Sequence, residues 1–451
     1  MGEMITYQDY EKVRGTNDVA KFIGNLIDTH EASEIVETAH IADEYDHQKN
    51  RTIREYSVLR YTAKGSQYKD YTKTPSRIAS NFFNLLNTRL KNYSLGNGVT
   101  FTQENTKEKL GKDFDIVLSR AGYDALIHGV SFIFWNFDRS HVFPLTEFAP
   151  LWDETSGALR AGVRYWRIAK DKPIQAVLYE EDGYTRYAGE SYGRLTLMDD
   201  KRAYKQRVSR APADVQVAVV GEENYSALPI VPLWGSRLHQ STLVGNRQTI
   251  DSYDLVFSGF ADDLKECAQI YWLIENYGGM NAEDIQKFID SMTLTHAASA
   301  DTQNGGRITP YTQEVPYQSR SAYLSMIRTA IYESFGVMDT ASIAAGNKTA
   351  TEINAAYQAM DDKADDFEYQ IGECVQQLLA LQGIEDYPQF KRNRINNQYE
   401  QVQMVMLEAE YLDEETVLNK LPNITPDEVE GIMQRKAEQE RSRFVRGDDV
   451  S

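Results

Sequence analysis

Apolar residues recur along this chain in two textures, and the switches between them divide it into blocks. The first hundred or so residues carry mostly helical spacing. They include a charged segment at 33–54 and a cleaner amphipathic one at 75–93 bearing Ile78, Phe82, Leu85, Leu86 and Leu90. The run Leu95-Gly96-Asn97-Gly98-Val99 breaks that pattern, and the spacing predicts a further helix over 106–128. The period then drops to two. Residues 130–137, 161–168, 174–180, 183–187, 195–198 and 215–220 alternate β-branched or aromatic side chains with others, which predicts a sheet-rich section about 129–220. Pro229, Pro232 and Gly235 punctuate its end.

Helical spacing returns with two long stripes. One opens near Arg247 and steps by three and four through Ile250, Tyr253, Phe257, Phe260, Leu264, Cys267 and Tyr271. After Gly278-Gly279 comes a small α/β insertion: a short helix over 281–292, then Asn304-Gly305-Gly306 as a hairpin-turn signal before a strand at 307–315. A helix over 319–335 follows, with Tyr323, Ile327, Ala330, Ile331 and Phe335 on one face. The longest element comes next. A small-residue loop at 338–348 leads into a rod over 349–383, opened by a Thr349/Glu352 capping box and closed by Gly383. Its stripe is Ile353, Tyr357, Met360, Ala364, Phe367, Ile371, Cys374, Leu378 and Leu381, and at 1.5 Å per residue it spans roughly 50 Å. Such a stripe serves either a bundle core inside one subunit or packing between subunits. The remainder, from Ile384, reads as helical and charged, with a second capping box at Thr425-Pro426-Asp427-Glu428.

Composition narrows the function. With 451 residues and 41% apolar content the chain has material for about three domains with real cores. Its net charge of −19 excludes coating a phosphate backbone by simple charge neutralisation. The two cysteines, Cys267 and Cys374, lie far apart on apolar stripes, as expected of a protein from a reducing cytoplasm. The polar N-terminus and the lack of a long apolar run predict a protein neither exported nor membrane-spanning.

Candidate chemistry is sparse. Seven scattered histidines form no His-Glu-x-x-His motif, and no Cys-x-x-Cys accompanies them, so no metal site and no cofactor is predicted. Gly346-Asn347-Lys348-Thr349 keeps only the tail of a phosphate loop. Ser131 lacks the second glycine of a nucleophile elbow and reads as structural. On the rod, Glu352, Asp361, Asp362, Asp365, Asp366, Glu368 and Glu373 face only Lys363, which reads as a solvated acidic face rather than a divalent-ion site. No catalytic residue is predicted, and the chain is expected not to be an enzyme.

The order of these parts resembles the portal proteins of tailed, long-tailed bacteriophages. Asn81-Phe82-Phe83-Asn84-Leu85-Leu86 through Tyr93-Ser94-Leu95-Gly96-Asn97-Gly98-Val99-Thr100 looks like the family's helix ending in a Tyr-Leu-x-Gly-x-x-Val-Thr turn, and Gly129-Val130-Ser131-Phe132 like the strand after it. Ile250-Asp251-Ser252-Tyr253-Asp254, with Ser258, Asp262 and Asp263, is similar to its Ile-Asp-Ala-Tyr-Asn helix, with Asp254 and Gly259 departing in detail. The run from Leu412 to Pro422, followed by Pro426-Asp427-Glu428-Val429-Glu430, looks like its C-terminal signature, with Asp413 standing where serine is usual and still able to cap a helix.

The resemblance implies an α+β, predominantly helical ring subunit: a wing (1–245), a first stem helix (246–270), a clip (271–318), a second stem helix (319–337), a channel loop (338–348), a long wing helix (349–383) and a helical crown (384–451). It further implies a homo-oligomer of about twelve copies closed into a ring, with double-stranded DNA passing through unread. Expected partners are the terminase, head-completion or adaptor proteins, the major capsid protein and scaffolding protein, with assembly in the host bacterial cytoplasm and residence at a capsid vertex. On this reading Thr340, Ser342, Gly346, Asn347 and Lys348 face DNA, and Asn304, Gly305, Arg307 and Tyr311 dock partners. Ile250, Tyr253, Phe257, Phe260, Leu264, Tyr323, Ile327 and Ile331 pack the stem. The rival readings are a helical scaffolding or adaptor protein and a cytoplasmic enzyme with its site in the β-rich middle.

Overall fold

A computed structural model describes residues 4–57, 59–61, 66–69, 74–103, 105–137, 139–210, 217–267, 271–275, 283, 286–287, 290, 307–311, 317–339, 350–393, 398–421, 429 and 431–436. The chain forms two compact units, residues 1–391 and 392–451. The first opens with helices α1 (Tyr7–Val13), α2 (Val19–Glu31), α3 (Glu34–Asp46) and α4 (Arg51–Glu55). An antiparallel pair follows, β1 (Leu59–Tyr61) with β2 (Gln67–Lys69). Helix α5 (Phe82–Leu95) starts later than its apolar pattern predicts. Proline disfavours helical geometry in the residue before it, and the amides of Ser76, Ile78 and Ser80 are taken by side chains of a distant helix, so residues 74–80 stay extended. After β3 (Val99–Thr100), the single helix expected over 106–128 is two, α6 (Thr106–Lys109) and α7 (Phe114–His128). They are separated at Gly111, whose φ of +91° no helix accommodates.

The β-rich section holds more strands than alternation revealed: β4 (Val130–Asn136), β5 (Arg139–Pro144), β6 (Phe148–Trp152), β7 (Leu159–Trp166), β8 (Ile174–Glu180), β9 (Gly183–Gly189), β10 (Thr196–Arg202), β11 (Lys205–Arg210), β12 (Val217–Glu223) and β13 (Ile230–Trp234). They form a five-stranded antiparallel meander ordered β10-β9-β8-β7-β6, a three-stranded sheet ordered β13-β4-β5, and the β11–β12 ribbon. The unforeseen β13 contains Pro232 opposite Phe132 and sits at a sheet edge, the one place in a ladder where a residue without an N–H is tolerated. Tyr10, Ile23, Leu26 and Ile27 of α1 and α2 cover one face of the meander, against Ala149, Val163 and Leu178. On its other face Phe148, Val177 and Tyr179 pack with Phe132 and Phe143 of the smaller sheet, so β4 is apolar on both sides.

The chain then enters α8 (Arg247–Cys267), strands β14 (Tyr271–Glu275) and β15 (Arg307–Tyr311), α9 (Tyr317–Phe335) and α10 (Ala350–Ala380). Tyr271, expected to end the first long stripe, instead opens β14 and pairs with Tyr311. Most of the predicted 281–292 helix and the Asn304-Gly305-Gly306 turn lie outside the described residues. At 31 residues α10 is about 46 Å long, and its stripe members Tyr357, Met360, Ala364, Phe367, Ile371, Cys374 and Leu378 are all buried. They pack within this chain on Leu90 and Tyr93 of α5, on Leu118, Ala121 and Ala125 of α7 and on Val231 and Leu233 of β13. The stripe is thus intrachain core. Beyond Gly383 (φ +69°) the expected helix does not continue: residues 384–393 are non-helical and include β16 (Gln389–Phe390), paired with β3.

The second unit contains α11 (Gln398–Glu408) and α12 (Glu414–Lys420). Asp413 caps α12 by accepting from the Thr416 amide at 3.0 Å, and Lys420 pairs with Glu408 at 2.7 Å. The second predicted capping box lies outside the described residues.

Candidate functional site

Helices α8 and α9 lie side by side and grade from sealed to bare. Near the core, Ile250 packs with Leu243, Ile327, Ile331, Tyr332 and Phe335. Tyr253 meets Phe82 edge-on, with ring centroids 5.0 Å apart, and stacks on Phe257. Further out the two helices are joined by Phe260 against Tyr317 and by an Arg320–Asp263 ion pair, with the Arg320 guanidinium also over the Phe260 ring. Large apolar side chains there face outward: Phe257 is 38% exposed, Tyr323 41%, Leu264 52% and Met326 61%. Of the predicted packing residues, then, Ile250, Ile327 and Ile331 belong to the chain's own core, while Phe257, Leu264 and Tyr323 are left open by a single copy.

The end of α9 is held on three sides. Gly336 takes φ +64°, and a Cβ there would come within 2.7 Å of Lys363 Cγ and 3.1 Å of the Ala359 carbonyl on α10. Only glycine combines that dihedral with that approach. Arg89 of α5 donates to the Met338 carbonyl at 3.3 Å. Arg328 donates two N–H bonds to Asp339, both at 3.2 Å, a fork-to-carboxylate geometry, and lies over Tyr332. Thr340, Ser342, Gly346, Asn347, Lys348 and the capping Thr349 lie outside the described residues, as does the Glu352 side chain. So do Asn304 and Gly305, whereas Arg307 and Tyr311 are the first and last residues of β15, opposite Glu275 and Tyr271.

The acidic face of α10 is mostly wet, with Asp362 and Asp365 exposed. Asp361 accepts from the Tyr93 hydroxyl at 2.6 Å, Asp362 from the Gln358 side-chain amide at 3.1 Å and Asp366 from the Arg237 amide at 3.3 Å. Among the described residues no group of three or more histidine, cysteine, aspartate or glutamate side chains is placed to hold a metal ion. Ser131 is fully buried and donates to the Ala121 carbonyl at 2.7 Å, a structural bond. Cys374 is a free, buried thiol whose pKa burial pushes up, and the Cys267 side chain lies outside the described residues. No helix among the described residues is long and apolar enough to cross a membrane.

Two polar features were not among the expectations. Asp386 collects donors from four residues: the amides of Thr102 (3.2 Å), Gln103 (3.0 Å) and Tyr387 (2.8 Å) and the Thr106 hydroxyl (2.7 Å). Desolvation pushes its pKa up, but the Thr106 hydroxyl and those amides more than reverse it, to about 2. The second feature is a row of acceptors on α8, at Asp254, Ser258 and Asp262. The signal for it was present as polar residues at every fourth position of a helix otherwise read only for its apolar face.

The family model described as "Phage portal protein, SPP1 Gp6-like" matches residues 25–442. A portal protein of Clostridium phage phiCD119 is 23% identical over 391 residues, covering 79% of this chain and 83% of the relative. The portal protein of Bacillus phage SPP1 is 24% identical over 363 residues, covering 76% and 68% respectively. Among solved structures, the neck of a native GTA particle computed with C12 symmetry aligns with a TM-score of 0.41 at 11% identity, covering 76% of this chain and 90% of that one.

Proposed function

The chain belongs to the SPP1 Gp6-like phage portal protein family, and from that membership we propose that it is the ring subunit of a capsid vertex, a non-enzymatic conduit for double-stranded DNA during packaging and ejection. The ring holds about twelve copies, closed by one heterologous contact repeated between neighbours. The observation that carries this reading is the outer half of the α8–α9 pair. Its exposed Phe257, Leu264, Tyr323 and Met326 are surface that a lone subunit leaves wet and a neighbouring copy would cover. The helix pair then serves as the stem, residues 271–318 as the clip that docks the terminase motor and later the head-completion proteins and tail, and residues 338–348 as the channel loop. Major capsid and scaffolding proteins are further partners, and the second unit, residues 392–451, forms the crown.

Electrostatics supports a conduit. At −19 per copy, about twelve copies would surround the channel with roughly two hundred negative charges, and like charge lets a duplex slide instead of sticking. Negative-stain imaging of the purified full chain is the test. Closed rings with a central hole and a mass near twelve times 51.5 kDa, roughly 0.6 MDa, are expected. A monodisperse monomer that stays monomeric in the presence of capsid and scaffolding proteins would overturn the proposal.

A further inference from the structure

Residues 74–80 run extended beside α8, and their attachment has a regular geometry. The Ser76 amide donates to both carboxylate oxygens of Asp262, at 2.8 and 3.1 Å. Two residues on, the Ile78 amide donates to Ser258 Oγ at 3.0 Å, and two further the Ser80 amide donates to Asp254 at 3.0 Å. Alternate residues of an extended chain are separated by about 6.6 Å, and four residues of an α-helix by about 6.0 Å. The two repeats nearly coincide. An acceptor at every fourth position of α8 therefore meets the amides on one edge of the extended segment, which runs antiparallel to the helix.

The rail itself is well supported. Asp254 is 1% exposed and Ser258 fully buried. Asn50 donates to Asp254 and to Asp251, both at 2.9 Å, while Lys265 donates to the Ser76 hydroxyl at 2.5 Å and reaches Asp262 at 3.4 Å. Burial pushes the Asp254 carboxyl above the usual range, and the Ser80 and Asn50 hydrogen bonds pull against it. At Asp262 the hydrogen bonds of Ser76 and Lys265 overcome the burial effect and leave the pKa lowered. The extended segment, in contrast, has no fully buried residue: Pro75, Ser76, Ile78, Ala79 and Ser80 are half-buried, and Thr74 and Arg77 are exposed. Its attachment consists of polar contacts to one helix face, plus an Arg77 bond to the Tyr56 carbonyl.

We infer that residues 74–80 are a detachable strap, which opens from and closes on the Asp254–Ser258–Asp262 rail as one cooperative step while the core stays folded. A unit held mainly by the Ser76, Ile78 and Ser80 amide bonds and a few flanking polar contacts, with no fully buried residue, has a lower opening free energy than the sheets behind it. The same face of α8 continues through Asp251 to Tyr45 of α3 and to Asn50 and Thr52 at the start of α4, so the closed strap adds to the contacts that hold α8 against them. The inference is independent of the portal reading.

Native-state hydrogen exchange on the full chain tests it. The amides of Ser76, Ile78 and Ser80 should be protected with one shared opening constant, well above that of the β7 and β8 amides and weakly dependent on urea. Ser258→Ala and Asp262→Asn should each raise exchange at all three amides by about tenfold, leaving β7 and β8 unchanged. Free-chain exchange rates in the unmodified protein would overturn the inference. So would opening only together with β7 and β8 at the same urea dependence, or a variant that affects its own partner amide alone. The urea dependence in the unmodified protein decides the matter even where a variant folds poorly.

Discussion

Asp124 on α7 shows how a single side chain can work against the fold. Burial raises its pKa from 3.8 to about 6, with His128 and Arg120 opposing and Asp43 and Asp46 reinforcing the shift. A carboxyl with a raised folded pKa costs nothing below its unfolded value, where both states are protonated, and its full amount above about 6, where the folded state must hold a buried charge. Asp124→Asn is therefore expected to stabilise the protein at about pH 7.5 by ~1–2 kcal/mol, with the advantage fading below about pH 4, as read by urea midpoints across pH. Asp386 has the opposite sign: its depressed pKa contributes stability that is complete above the unfolded value of 3.8 and is lost as pH falls from there through about 2. Neither environment was legible in the sequence. The donors to Asp386 from Thr102, Gln103 and Thr106 lie more than 270 positions away, and no local spacing encodes them. For the channel loop the residue-scale expectation concerns Lys348, proposed as a phosphate contact. Lys348→Ala should lower the amount of DNA packaged or retained per particle, and unchanged packaging and retention would remove it from the channel.

At the scale of elements, α10 was the most readable part of the chain. Its stripe is buried from Tyr357 to Leu378, with Gln370, Val375 and Leu379 buried beside it, because a 31-residue helix with one apolar face has one way to bury it. What covers that face was not readable, and the answer is α5, α7 and β13 of the same chain. Phe367 is 1% exposed in the middle of that contact, and Tyr369, two residues on, is 64% exposed on the far side. Phe367→Ala is expected to cost about 3–5 kcal/mol in equilibrium unfolding, and Tyr369→Ala less than about 0.5 kcal/mol. Comparable losses would mean that a second layer covers the outer face. Strands were harder to read than helices. Strands β5 and β6 are only six and five residues long, and β13 carries a proline that reads as a terminator until its edge position is known.

For the whole molecule, charge and shape act together. A subunit at −19 with a wet acidic face on α10 should leave a linear duplex unshifted in a gel-mobility assay at about 50 mM salt, even at micromolar protein. A salt-sensitive shift would contradict the conduit reading. Legible from residue order alone were the periodicity of the long helices, the small insertion between α8 and α9, the acidic balance and the ordered motifs that marked the family. These are local or additive properties, set by side chains a few positions apart or by simple summation. It took the folded arrangement to reveal that the α10 stripe closes an intrachain core, that the 75–93 pattern splits into a strap and a helix, and that Gly336, Arg89 and Arg328 hold the end of α9. Each of those depends on groups brought together from distant parts of the chain, where hydrogen-bond geometry and close packing act over a few ångströms in space and leave no period in the sequence.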